Sequence, residues 1–405
     1  MCVVTSNYGL TRSESVVETL DGVVVYRILR QYAYGNSFVL PPWTLRQASA
    51  ELKDARCFKD LLEIFSPDVV CWWSLNGISK ILLPIPARKN IPEMFWIEDP
   101  WMIREFGVDG EIAALFWNRV WDGAWGPQIA RPFLKGLGSW WESRVCADKI
   151  PSRLLGYRPR HVCFVSHYLE MLYRKAGFNF QVSQVIHAGV SIGRFFASGR
   201  LPSAAGRPPL RLLYAGQLSR DRGLHTVIEA LGSIRYETRR RVCLTVVGDG
   251  VPEYRRDLDN RASELGLTEL VKFVGKQPHE RMPSIFKEHD ILIFPSTRDE
   301  GLPLSMVEAM LAGCAVVTTG SGGAMEIAKA ASLPLFPANN AEALADLISR
   351  LESNRSGLRE LAARGQAVAL TCFNSERMID KIEETLGMFG EKKPITTWDH
   401  NRGDS

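Results

Sequence analysis

The 405-residue sequence predicts an α/β protein made of two doubly wound domains, each a parallel sheet with helices on both faces. Three observations carry this expectation. Beyond residue 207, short apolar runs alternate with helical patterns, as in successive βαβ units. The runs are nearly continuous in apolar residues, the mark of strands covered on both faces. A Gly-, Pro- and Ser-rich segment, residues 198–209, separates this half from an earlier one with similar strand-like runs.

In the first half, Asp68–Trp73, Glu93–Ile97 and Arg160–Ser166 have the composition of buried strands. In the second, Leu210–Ala215 precedes a helical stretch at Gly223–Leu231, and Val242–Gly248 precedes another at Glu253–Leu265. Val271–Val274 is a short strand, and Asp290–Phe294 and Ala315–Thr319 flank a helix around Leu304–Ala312. The expected organisation is an N-terminal domain over 1–196 and a C-terminal domain over 207–372. A helix at 373–390 then packs back on the N-terminal domain, ahead of a disordered tail at 391–405.

Composition narrows the functional classes. Hydrophobic residues make up 46% and charged ones 23%, ordinary for a globular chain able to bury a core. A net charge of +4 gives no electrostatic case for a nucleic-acid partner. The eight cysteines are scattered without a C-x-x-C pair, which argues against a zinc site or disulfide framework and fits reduced thiols in the cytosol. No run approaches the roughly 18 apolar residues of a spanning helix, and the start, MCVVTSNYGLTRSE, does not read as a signal peptide. Ten of the eleven tryptophans fall between Trp43 and Trp141. Trp117, Trp121 and Trp125 are spaced to share a helix face, with Arg119, Arg131, Lys135, Arg144 and Lys149 interspersed. Core packing and a sugar-stacking or membrane-surface face are both open readings of that pattern.

The chemistry concentrates in the second half. From Leu304 to Ala312 the helix carries one ionisable residue, Glu308, between Val307 and Ala309. A carboxylate in so apolar a helix needs a donor, either the hydroxyls of a ligand diol or a salt-bridge partner. Pro303 suits the first helical turn, Gly313 the end, and Glu300 stands just before the helix. The loop Thr319–Glu326, with Gly320, Gly322 and Gly323, follows a strand and leads into a helix, where backbone amides and the helix dipole favour an anion. Gly216–Gly223 lies at the first strand-to-helix turn, where a diphosphate clamp by Arg222 and a solvated turn with charges are both open readings. Asp257 and Asp259 form a D-x-D string, but in a helical segment where residues two apart do not face together, so they read as surface charge.

These segments resemble the retaining nucleotide-sugar glycosyltransferases of family 4, the glycosyl transferases group 1, which have the GT-B fold of two Rossmann-like domains facing across a cleft. The family carries a glutamate, seven residues, then a second glutamate followed by Ala-Met, and Glu300–Met310 is similar to it. Gly216–Gly223, Val247–Gly250, Val271–Gly275, Phe294–Ser296 and Gly322–Glu326 match further segments in the same order, and Val185–Val190 resembles the interdomain one. The resemblance implies that Glu308 holds the donor ribose, Glu300 contacts the transferred sugar and Arg222 neutralises the diphosphate. It places Gly216, Gln217, Gly301, Leu302, Pro303 and Leu304 around the donor, with backbone amides near Gly322 and Gly323. Glu300, Arg222 and Asp99 are the catalytic candidates; no nucleophile, cofactor or metal is expected, the nucleotide sugar being a co-substrate. Gln217 stands where arginine is common, and Glu98-Asp99 where many relatives have His-Asp. Val3–Ser6 and Gly22–Arg27 resemble later strands of the N-terminal domain, so its opening strand and loop are expected to be absent. The implied acceptor is a glycan, lipid-linked or small-molecule hydroxyl. The scattered cysteines point to the cytoplasm, and the Trp and basic residues before Ile150 leave open a peripheral place at the inner face of the membrane. A catalytically inactive nucleotide-sugar or glycan binder, and a GT-B sugar-nucleotide epimerase, are the alternatives.

Overall fold

A computed structural model of the chain describes residues 1–6, 16–30, 41–75, 78–106, 159–197, 199 and 209–390. The Trp117–Trp125 pattern, most of the 198–209 segment and the 391–405 tail lie outside the described residues. By compactness the chain divides into two units. The first comprises Met1–Cys163, Tyr173–Gln184 and Thr385–Ser405, the second Phe164–Leu172 and Val185–Glu384.

The described part of the first unit holds two sheets. Strands β1 (Cys2–Ser6), β2 (Val16–Leu20) and β3 (Val23–Leu29) order as β1-β3-β2, with β1 parallel and β2 antiparallel to β3. After helix α1 (Pro41–Phe65), β4 (Val70–Trp72), β5 (Glu93–Ile97), β6 (His161–Phe164) and β7 (Val182–Val185) form a four-stranded sheet in that order. The apolar run read as Asp68–Trp73 pairs only over 70–72, parallel to β5. Trp73 leaves the strand and is 46% exposed, so the expectation of a buried strand residue fails there. Helix α2 (Trp101–Phe106) follows β5, and α3 (His167–Lys175) follows β6.

The second unit is one parallel five-stranded sheet. Its strands are β8 (Leu210–Ala215), β9 (Val242–Val247), β10 (Val271–Gly275), β11 (Ile291–Phe294) and β12 (Ala315–Thr318), ordered β10-β9-β8-β11-β12. Every side chain of β11 and β12 is buried, as continuous apolar strands require. The connecting helices are α4 (Leu224–Ser233), α5 (Pro252–Glu264), α6 (Met282–Glu288), α7 (Leu304–Leu311) and α8 (Ala324–Ala331). Helix α9 (Ala341–Ser353) packs on α4, and α10 (Arg355–Cys372) on α7 and β12. The last helix, α11 (Ser375–Gly390), ends with Phe389 edge-on to His161 at 4.8 Å, within the first unit.

This strand order places a topological switch between β8 and β11: the chain winds one way to β9 and β10, then returns to the other side of β8. Open α/β sheets bind ligands outside the carboxyl ends of the strands at such a point. The segments that follow β8 and β11 are therefore where the chemistry is to be sought.

Candidate functional site

The segment after β8 is built to meet the segment after β11. Gly216 N–H continues the sheet by donating to Val247 O at 3.0 Å, and the Tyr214 hydroxyl donates to Gln217 O at 2.7 Å. A single tight turn, Arg220–Arg222, ends at Gly223, which has φ +72°. A Cβ at Gly223 would sit 2.1 Å from Pro295 O, so only glycine allows this approach. Asp221 O in turn accepts from Thr297 N at 2.8 Å and Thr297 Oγ1 at 3.0 Å, which zips the two strand-end loops together.

The zipped loops bring Arg222 Nη1 onto Glu300 Oε1, with both side chains about four-fifths buried. Ser296 Oγ lies 3.4 Å from the same carboxylate oxygen. Burial, then the nearby Arg298, lower the Arg222 guanidinium from its ordinary value. It nonetheless stays charged at any physiological pH. Its Nε is buried without a hydrogen-bond partner among the described residues. The sequence singled out Arg222 and Glu300 separately, one as a diphosphate clamp and one just before the helix, and the fold brings the two side chains together.

Helix α7 starts at Leu304, as anticipated, but Pro303 is its N-cap, with φ −77° and ψ 98°, rather than part of its first turn. Gly313, at φ +78°, ends it, with Cys314 N–H closing on Ala309 O at 2.9 Å. Leu302 packs against the core, Pro303 is buried and Leu304 is exposed. Glu308 has a side chain only 12% exposed, and its Oε1 lies 2.9 Å from His279 Nε2. The donor that this carboxylate needs is therefore present within the chain on one of its oxygens. His279, whose ring also meets Phe195 at 5.5 Å, was not singled out from the sequence.

The glycine loop before α8 presses on the segment that carries Glu300. Gly322, at φ +58°, and Gly323 leave no room for a Cβ; at Gly323 it would lie 1.9 Å from Gly301 O. Gly323 N–H donates to Glu300 O at 2.8 Å. That amide, expected to face a ligand anion, is thus occupied by the chain itself, and Gly323 serves to let the loops touch. Tyr168 holds the same segment from another side. Burial and its hydrogen bond to Asp299 push the Tyr168 hydroxyl up to about 12, so it remains a donor at neutral pH.

A third cluster was also missed. The Glu326 carboxylate accepts from the amides of Tyr168 at 2.7 Å and His167 at 3.1 Å, and lies 3.0 Å from His187 Nε2. His167, His187 and Glu326 offer ligand atoms within 4.8 Å of one another. With three hydrogen bonds already made, however, the carboxylate is a cap on the exposed amides of α3. Burial draws the Glu326 carboxyl upward, but the bonds from His187 and the two amides outweigh it and hold it below the ordinary range. Its contribution to stability is therefore complete above about pH 4.5 and is lost as the pH falls through the lower folded value. Glu326→Gln is expected to cost about 1–3 kcal/mol in urea unfolding at neutral pH, with the gap from wild type closing in acid. A gap that persisted unchanged into acid would mean the charge is not what stabilises the cap.

In the first unit, Asp99 follows β5. Its Oδ1 accepts from Trp101 N at 2.8 Å, starting α2, and its carbonyl accepts from the Tyr173 hydroxyl at 3.0 Å. Asp257 and Asp259 lie on α5, paired with Arg220 and Arg255 at 2.9 Å each, as surface charges do.

Residues 203–368 match the family described as Glycosyl transferases group 1. The chain is similar to the 2-deoxystreptamine glucosyltransferase of Streptomyces kanamyceticus, 34% identical over 110 residues that make up 27% of each chain. It is also similar to the amylovoran biosynthesis glycosyltransferase AmsK of Erwinia amylovora, 28% identical over 186 residues, 44% of each. The matched region thus spans from about a quarter to less than half of the length of these relatives. Among solved structures, Anabaena HepE in complex with UDP and glucose aligns with a TM-score of 0.61 at 19% identity, over 90% of this chain and 86% of that one. That likeness is one of fold, and the chain has the GT-B fold with Rossmann-like α/β domains. Residues 203–368, which contain Arg222, Glu300, Glu308 and the Gly322–Gly323 loop, carry the sequence pattern of the glycosyl transferases group 1 on that fold.

Proposed function

We propose that the chain is a retaining glycosyltransferase of family 4, moving a hexosyl group from a nucleoside-diphosphate donor to a hydroxyl of a glycan, lipid-linked or small-molecule acceptor. The observation that carries this reading is the buried Arg222–Glu300 pair at the carboxyl ends of the two strands flanking the switch point. Cleavage of the donor places positive charge on the sugar ring and negative charge on the diphosphate. A fixed guanidinium in a water-poor setting stabilises the second, and a carboxylate beside it orients the first. Glu308, with one oxygen on His279, holds the ribose through its carboxylate. The departing phosphate takes the acceptor proton on the face it leaves, so no protein nucleophile is assigned and no metal is required.

HepE, the similar structure, was solved with UDP and glucose, which makes uridine nucleotides the first donors to try. The reaction is assigned to the cytoplasm, at the inner face of the membrane. Among the described residues no helix is long and apolar enough to cross a membrane. Titration calorimetry with UDP-, GDP- and ADP-sugars, alongside donor hydrolysis, tests the reading. At least one donor is expected to bind and turn over, and Glu308→Ala to weaken it about tenfold or more. Unchanged affinity in Glu308→Ala would remove Glu308 from the donor site, and binding without turnover would reduce the protein to a binder.

A further inference from the structure

The first unit exposes one indole in an unusual way. Trp73 stands just beyond the carboxyl end of β4, 46% exposed. Its ring rests on Trp96, the next-to-last residue of the neighbouring parallel strand β5, with centroids 5.4 Å apart and planes tilted by 36°. Trp96 is fully buried, so this support is rigid. Both indole N–H groups converge on one carboxylate oxygen: Trp73 Nε1 donates to Glu98 Oε1 at 3.1 Å and Trp96 Nε1 at 2.8 Å. The polar edge of Trp73 is thus satisfied and its rotation is blocked.

Exposing so large an apolar side chain is costly, and freezing it costs further conformational entropy. A protein gains from such an arrangement when something stacks on the open face. The strand ends at which Trp73 and Glu98 stand are the edge where open α/β sheets take ligands.

We propose that Trp73, Trp96 and Glu98 form a sugar-stacking platform that takes the pyranose ring of a neutral glycan. The indole face is electron-rich and attracts the polarised C–H groups of a pyranose face. The carboxylate at its edge is acceptor-only and suits the hydroxyls at the rim of that ring. Both indoles use Oε1, so neither engages Oε2. Glu98 and the adjacent Asp99 repel a phosphate, which favours a neutral sugar over a nucleotide as the occupant. The proposal deepens the glycosyl-transfer reading and rests on it for the source of the sugar. The pinned indole itself is independent of the donor residues.

The test uses the full chain labelled with 5-fluorotryptophan and titrated with the methyl α-pyranosides of glucose, galactose and mannose. The Trp73 fluorine resonance is identified by its loss in Trp73→Phe. At least one pyranoside is expected to shift that resonance saturably. Saturation-transfer spectra are expected to lose about tenfold in affinity in Trp73→Ala, with a smaller loss in Trp73→Phe, which keeps an aromatic face. Glu98→Gln is expected to fall between wild type and Trp73→Ala. The platform is refuted if no pyranoside moves the Trp73 resonance, if uridine moves it instead, or if Trp73→Ala binds like wild type. Binding of UDP, GDP or ADP in the same samples serves as a check on folding and separates the two claims. Normal nucleotide affinity with no pyranoside response sinks the platform alone, whereas a pyranoside response with none of the three nucleotides bound sinks the donor reading alone.

Discussion

Arg222→Ala is expected to lower donor turnover by about a hundredfold to a thousandfold, the scale found when one preorganised charge-stabilising group is removed. The side chain is about four-fifths buried against Glu300, and the backbone beneath it is held by Gly223 against Pro295 and by Thr297 on Asp221. A group so fixed costs no reorganisation as charge develops on the diphosphate, so the loss should appear in kcat more than in nucleotide affinity. Arg222→Lys should retain much of the rate, because lysine keeps the charge that offsets the diphosphate although it cannot present the planar fork of arginine. Removing Arg222 also strands Glu300, whose side chain is only 20% exposed. Glu300→Gln on the Arg222→Ala background should therefore recover stability but not rate. The measurement is single-turnover cleavage of the donor together with calorimetry of the nucleotide. Equal losses in rate and affinity would reduce Arg222 to ground-state binding, and rate recovery in the double variant would show that the single change acted through a stranded carboxylate.

What could be read from sequence follows from how local the cause was. Strands β11 and β12 announce themselves because every position is buried, and β8 and β9 because their runs are nearly continuous in apolar residues. Helix α7 was legible because Gly313 ends it, and Glu308 stood out because it is alone among apolar neighbours. His279 was not visible. It lies in a short turn before α6, and only the fold carries it 29 residues along the sequence to Glu308. The cap formed by Glu326 spans 159 residues to His167 and 139 to His187, and no spacing rule reaches that far. Trp73 misled in the opposite sense. An apolar run predicts burial, but β4 ends at Trp72 and the following residue escapes the sheet.

Gly323→Ala is expected to lower donor turnover by about a hundredfold and to cost about 1–3 kcal/mol of stability, the range for forcing atoms into a closed contact. The backbone at Gly323 is ordinary, φ −66° and ψ −14°, so alanine adds no torsional penalty there. What it adds is a Cβ placed 1.9 Å from Gly301 O and 3.2 Å from Glu300 O, and backbone atoms cannot rotate away as a side chain would. The segment 299–301 must move, breaking the Gly323 N–H bond to Glu300 O and drawing the Glu300 carboxylate off Arg222. Gly266→Ala supplies the contrast. Gly266 follows α5 at φ +67° with nothing within 4 Å of an added Cβ, so it carries strain without collision. It should lose about 1 kcal/mol and turn the donor over normally. Urea unfolding and single-turnover donor cleavage on the two variants separate strain from contact. Normal turnover in Gly323→Ala would mean that the closeness of these loops is not what positions Glu300.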